Sequence, residues 1–199
     1  MLNSRELVLA SNNPHKALEF SRLFPGFRIL LPAEAGIDFY YEESGHSFLE
    51  NSMGKARHLF NQIHRPVIAD DSGLCVSALN GEPGLHSARY GAIDGRKQLT
   101  PEQRIDYLLA RMARHDNRES YFVCCLVLMV AAERFFVSQE TVHGELTLSP
   151  RGEGGFGYDP IFNLPDQGKT MAEMEDREKD LISHRGRAAK KLLKLISRD

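Results

Sequence analysis

Apolar residues recur with two different periods along this chain, and the order of those periods limits the folds open to it. Glu6 to Ala10 is a short strand-type run, and beyond a polar loop Ala17, Leu18, Phe20, Leu23 and Phe24 recur at helical spacing. Phe27 to Leu31 reads as a second strand, and Ile37 to Glu43 as extended chain with an acidic end. Ser47 and Glu50 form a capping box for a helix running to about Ile63. Pro66 to Asp70 reads as a buried strand and Leu74 to Leu79 as another, with the strong turn signal Asn80-Gly81 behind it. Thr100 as N-cap and Pro101 at the first helical position start a helix to about His115. Tyr121 to Val130 and Arg134 to Val142 are two long strands in succession, read as a hairpin. Ser183 caps a last helix whose apolar positions include Ala188, Leu192, Leu195 and Ile196. Strands and helices that alternate early and then give way to a long hairpin predict an α/β fold with a mixed sheet.

A chain of 199 residues can bury its core as one domain, or as one domain with two lobes. Its 25 Lys and Arg against 27 Asp and Glu leave a net charge of −2, which gives no electrostatic reason to expect a nucleic-acid polymer as partner. Met1 to Glu6 is polar, and Leu7 to Ala10 is too brief for a signal h-region or a membrane span. Cys75, Cys124 and Cys125 are odd in number and lack metal spacing; they read as small buried hydrophobes in a reducing cytoplasm.

Five polar segments carry the chemistry. Ser11-Asn12-Asn13-Pro14-His15-Lys16 joins a strand to a helix N-terminus, where amides and the helix dipole attract anions; without GxxxxGK[ST] it is no Walker A loop. Asp70-Asp71-Ser72-Gly73 reads as an acidic turn directly behind a strand, with hard oxygen ligands of the kind Mg²⁺ takes. Glu42 and Glu43 can supply a second carboxylate, or be a solvated acidic loop. Gly152 to Asp159 holds four glycines and two aromatics, and Phe156 or Tyr158 can stack on a base or belong to the core. Ser183-His184-Arg185 sets two hydrogen-bond donors at a helix start, or merely a capped helix with two solvated charges.

In this order and spacing the segments resemble the inosine triphosphate pyrophosphatase family, over about Leu7 to Ile196. The most specific stretches are IADDSGLCVSALNGEPGLHSARYG (68–91), GEGGFGYDPIF (152–162) and EKDLISHR (178–185). The resemblance implies a long mixed β-sheet with flanking helices, two lobes around a central cleft formed by the single domain 1–199, and a homodimer to whose surface Gly81 to Gly91 is a candidate contributor. It also implies Mg²⁺-dependent release of pyrophosphate from ITP, dITP and XTP.

Residue by residue, the resemblance assigns the triphosphate to Ser11, Asn12, Asn13, Pro14, His15 and Lys16, and the metal to Asp71 and Glu42, with Glu43 as rival. Asp71 also orients or deprotonates water, and Ser72 touches substrate. Phe156, Gly157, Tyr158 and Asp159 bind the nucleoside, Lys179 a phosphate, and His184 with Arg185 the purine edge. The expected reaction is hydrolysis at the α-phosphorus. A carboxylate of ordinary pKa, about 4, is a weak base, so metal activation or orientation of the water is expected to outweigh proton abstraction. Rival readings are a pyrophosphatase for modified pyrimidine nucleotides and a nucleotide sensor without turnover.

Overall fold

The computed structural model describes residues 5–92 and 98–197. Its elements are β1 (Glu6–Leu9), α1 (Pro14–Leu23), β2 (Arg28–Leu30), α2 (Phe48–Ile63), β3 (Val67–Val76), α3 (Pro101–Arg111), β4 (Glu119–Ala131), β5 (Arg134–Leu146), β6 (Phe162–Leu164), β7 (Lys169–Thr170), α4 (Asp176–Ile182) and α5 (His184–Ile196), with short 3-10 turns between them. The strands form one mixed sheet in the order β2-β1-β3-β4-β5-β6-β7. Its first pairs are parallel, with Leu7 opposite Ile29 and Val8 opposite Val67. Its last pairs are antiparallel, with Leu146 opposite Phe162 and Asn163 opposite Thr170.

The chain divides into two compact units. The first comprises Met1–Asp71, Cys124–Glu140 and Arg185–Asp199, the second Ser72–Val123 and Thr141–His184. In the first, strand alternation sorts side chains onto two faces. Leu7, Leu9, Ile68, Cys124, Leu126 and Leu128 meet Phe20 and Phe24 of the α1 segment and Ala188 and Leu192 of α5. Val8, Val67, Ala69, Val127 and Met129 on the other face meet Ala56, Leu59 and Phe60 of α2. In the second unit Leu74, Val76, Phe122 and Phe162 pack with Ile105 and Leu108 of α3 and with Met171.

The caps follow from local chemistry. Asn13 caps α1 with Pro14 behind it, and Thr100 with Gln103 closes a reciprocal box on α3. At α2, Ser47 Oγ accepts from Glu50 N, but the Glu50 carboxylate accepts from His46 N rather than Ser47 N. Asn80 (φ 52°) and Gly81 (φ 89°) make the expected turn. Leu18 and Leu195, placed on apolar faces by their spacing, are 64% and 42% exposed. The strand read as Leu74 to Leu79 ends at Val76.

The main departure concerns Asp70-Asp71-Ser72-Gly73. These residues lie inside β3, one continuous strand of ten residues, and make no turn. Polar residues in mid-strand signal a break when read alone. Here both aspartates find cationic partners in the interior, so burying them does not interrupt the strand.

Candidate active site

Asp70 and Asp71 are 1% and 6% exposed. Alternation directs Asp70 to the α1 and α5 face, where its Oδ2 accepts from Arg185 Nε (3.1 Å) and meets Lys16 Nζ (2.9 Å). Arg185 Nη1 donates to Glu19 Oε2 at 2.7 Å, and Cys124 Sγ lies 3.3 Å from Asp70 Oδ1. Burial pushes the Asp70 carboxyl up, but Arg185 and then Lys16 outweigh it and hold it well below the carboxylate range. Asp70 therefore stays ionised.

Asp71 faces α2. Its Oδ1 accepts from Lys55 Nζ at 3.0 Å and its Oδ2 from Asn51 Nδ2 at 3.2 Å. Asn51 and Lys55 are one turn apart, so a single helix face holds both carboxylate oxygens. Burial raises the Asp71 carboxyl; Lys55 opposes this and Glu43 adds to it. Asp71 is thus a stronger base than an ordinary aspartate.

Glu42 is exposed, whereas Glu43 is half-buried and accepts from Lys55 Nζ at 2.5 Å. The acidic segment is tied to α2 through Gly45, whose N–H donates to Asn51 Oδ1 at 2.8 Å. A Cβ at Gly45 would stand 2.7 Å from that same oxygen, so this approach requires glycine. Among the described residues no group of three or more His, Cys, Asp or Glu side chains has metal-holding geometry. The donor set nevertheless fits a hard divalent cation. Glu43 and Asp71 converge on one cationic atom, Lys55 Nζ, and Mg²⁺ commonly takes only one or two carboxylates, completing its shell with water and substrate phosphate.

In the loop before α1, Asn13 Oδ1 accepts from His15 N (2.9 Å) and Lys16 N (3.4 Å), and Ala17 N donates to Asn13 O. Pro14 has no N–H. The first amides of α1 therefore already have acceptors, and an anion there competes with the Asn13 side chain. Asn12 Nδ2 donates to Phe39 O, and Ser11 Oγ accepts from Asn13 N. Lys16, at the edge of Asp70, is the charged group of the loop.

In the second unit Asp159 and Lys179, 3% and 4% exposed, pair at 2.7 Å. Asp159 Oδ2 also accepts from Phe156 N at 2.8 Å. Gly155 (φ +70°) lies so close that a Cβ would meet that oxygen at 2.2 Å, so it too must be glycine. Asp159 thus fixes the loop, and Lys179 Nζ stands 5.2 Å from the centre of the Phe156 ring. Of the two candidate stacking rings, Tyr158 is buried in the core with its hydroxyl on Ser87 O, while Phe156 and Gly157 are half-buried. His184 is buried and stacks on Phe122, with centroids 4.5 Å and planes 7° apart. Ser72 is half-buried in β3.

Sequence reasoning assigned no role to Asn51, Lys55 or Glu19. One signal was available. Extending the buried stripe of α2 back from Leu59 and Phe60 sets Asn51, Ser52 and Lys55 on the inward face, where polar residues require partners.

Residues 7–195 match the model of the Ham1 family. A dITP/XTP pyrophosphatase from Treponema denticola is 47% identical over 92% of this chain and 94% of its own, and one from Bacillus subtilis 38% identical over 98% and 99%. Among solved structures, the Staphylococcus aureus Ham1 protein has 40% identity and a TM-score of 0.83, covering 97% of this chain and 98% of its own. A HAM1 protein from Coxiella burnetii has 37% identity and a TM-score of 0.85, covering 98% and 99%. Sequence and fold agree over nearly the whole length, and the chain belongs to the Ham1 family.

Proposed function

We propose that this protein hydrolyses non-canonical purine nucleoside triphosphates (dITP, ITP and XTP) to the monophosphate and pyrophosphate, with Mg²⁺, and so clears them from the nucleotide pool. The observation that carries the reading is the Asp71 carboxylate, buried with both oxygens held by α2, in a chain whose full-length relatives are dITP/XTP pyrophosphatases. Residues 1–199 act as one two-lobed catalytic domain, working as a cytoplasmic homodimer. No helix of the described residues is long and apolar enough to cross a membrane.

In this reading the water oxygen attacks the α-phosphorus, the bond from that phosphorus to the α–β bridging oxygen breaks, and pyrophosphate leaves with the electron pair. Asp71 orients the water and takes its proton. Asp71 and an acidic-segment glutamate would hold Mg²⁺, which would supply charge neutralisation at the phosphates, and the pairing with Lys55 favours Glu43 over Glu42 as that glutamate. Lys16, with Ser11 to His15, and Lys179 stabilise the negative charge on the leaving group. Ser72 contacts the substrate.

The base stacks on Phe156. Gly157 leaves room beside it, while Tyr158 and Asp159 act through the loop they anchor. His184 and Arg185 donate to the 6-keto edge of hypoxanthine or xanthine. Adenine presents a donor there, and a site built on that hydrogen bond rejects the mismatch by about 10⁴ or more. Arg185 is bonded to Asp70 and Glu19, so reaching a base requires a change in those contacts.

The test is a panel of dITP, ITP, XTP, ATP, GTP and 5-substituted dUTP, assayed for pyrophosphate with Mg²⁺ and with chelator. Release from the first three alone, lost with chelator, is expected. Equal rates with ATP refute the purine selectivity, preference for the pyrimidine favours that rival, and binding without pyrophosphate leaves a sensor.

A further inference from the structure

Lys55 reaches in from α2, 6% exposed, and its ammonium has as many acceptors as protons. They are Glu43 Oε1 at 2.5 Å, Asp70 O at 2.8 Å and Asp71 Oδ1 at 3.0 Å. It stands where the two carboxylates converge, which is the place a cation shared by them must occupy. A divalent ion there would lie a few ångströms from the ammonium, and like charges that close repel strongly where water is scarce. Ammonium and metal therefore exclude one another from this pair. Glu43 is half-buried, and its segment contains no regular element.

We propose that Lys55 is a positioning residue that competes with the divalent cation. It holds Glu43 and Asp71 together in the nucleotide-free chain and gives them up when metal and triphosphate enter. The inference rests on the metal reading above. Glu43, Asp71 and Lys55 together carry one net negative charge. A divalent ion entering alone turns that into a net positive charge, whereas one entering with a triphosphate brings the anion that both it and the displaced ammonium need. The metal is thus bound weakly without substrate and firmly with it.

The experiment uses the full nucleotide-free chain and Mn²⁺ as probe, with affinity read by electron paramagnetic resonance. Lys55→Gln is expected to bind Mn²⁺ about tenfold or more tighter than the native chain. Equal or weaker binding by the variant overturns the competition while leaving the metal reading intact. No Mn²⁺ binding by either nucleotide-free protein overturns the competition, and none in the presence of a non-hydrolysable dITP analogue overturns the metal reading as well. Should Lys55→Gln fail to fold, the native chain decides: in nitrogen-15 spectra of lysine ammonium groups, saturating Mg²⁺ without nucleotide must shift the Lys55 signal and spare that of Lys179. An unmoved Lys55 signal overturns the proposal.

Discussion

Asp70 and Asp71 are consecutive in β3, yet Asp70 Oδ2 accepts from Arg185 Nε at 3.1 Å on one face and Asp71 Oδ1 from Lys55 Nζ at 3.0 Å on the other. The pleat separates two identical side chains into different environments. Arg185 and Lys16 hold Asp70 ionised, whereas burial and the nearby Glu43 raise Asp71 despite Lys55. Environments that drive two carboxyls apart in this way assign one to holding charge and the other to handling a proton.

Replacing Asp71 by Asn keeps the shape and the Asn51 contact but removes the base and a metal ligand. Pyrophosphate release from dITP should fall at least about a hundredfold, with an unchanged circular dichroism spectrum. Near-native turnover would remove Asp71 from the mechanism.

Asp70→Asn should act on stability. It removes the negative charge that Asp70 sets against buried Arg185, and breaking a buried pair costs about 3 to 5 kcal/mol. The Asp70 carboxyl lies lower in the folded than in the unfolded state, so its contribution is full above about pH 4 and is lost as pH falls through the folded value. Denaturant titrations should show a gap between native and variant proteins that is constant from neutral pH to about pH 5 and narrows below about pH 4. A gap independent of pH would contradict the ion-pair account.

Asn51→Ala removes the donor on Asp71 Oδ2 and the acceptor of Gly45 N–H, loosening the carboxylate and the acidic segment together. Turnover should drop about tenfold, and the half-saturating Mg²⁺ concentration should rise. Loss of stability with unchanged Mg²⁺ dependence would make Asn51 a purely structural contact.

Phe156→Ala should raise the KM for dITP about tenfold or more, since a stacked base contributes about 1 to 3 kcal/mol. Tyr158→Phe should leave KM unchanged and lower stability by about 1 kcal/mol, through loss of its bond to Ser87 O. Equal effects of both changes on KM would return Tyr158 to the nucleoside site.

Much of this was legible in the sequence because the signals are local. Period-two and period-3.6 runs locate β1, α1, α2, α3 and the β4–β5 pair, and Ser47 and Thr100 start their helices by bonding amides three residues away. The acidic, glycine-rich and His-Arg segments could be identified as chemical groups for the same reason. What each group does there depends on partners far along the chain. Asp70 meets Arg185 across 115 positions, Arg185 meets Glu19 across 166, and Asp159 meets Lys179 across 20. Composition predicts a turn at Asp70 to Gly73. Only the tertiary structure, by bringing cations to both faces, makes those residues the middle of a strand. It likewise decides between neighbours: Glu43 rather than Glu42 reaches Lys55, and Phe156 is half-buried where Tyr158 is buried in the core. The chain by itself determines which elements form and which chemical groups it carries. Packing determines which of those groups are buried, what opposes their charge, and therefore which are free to act.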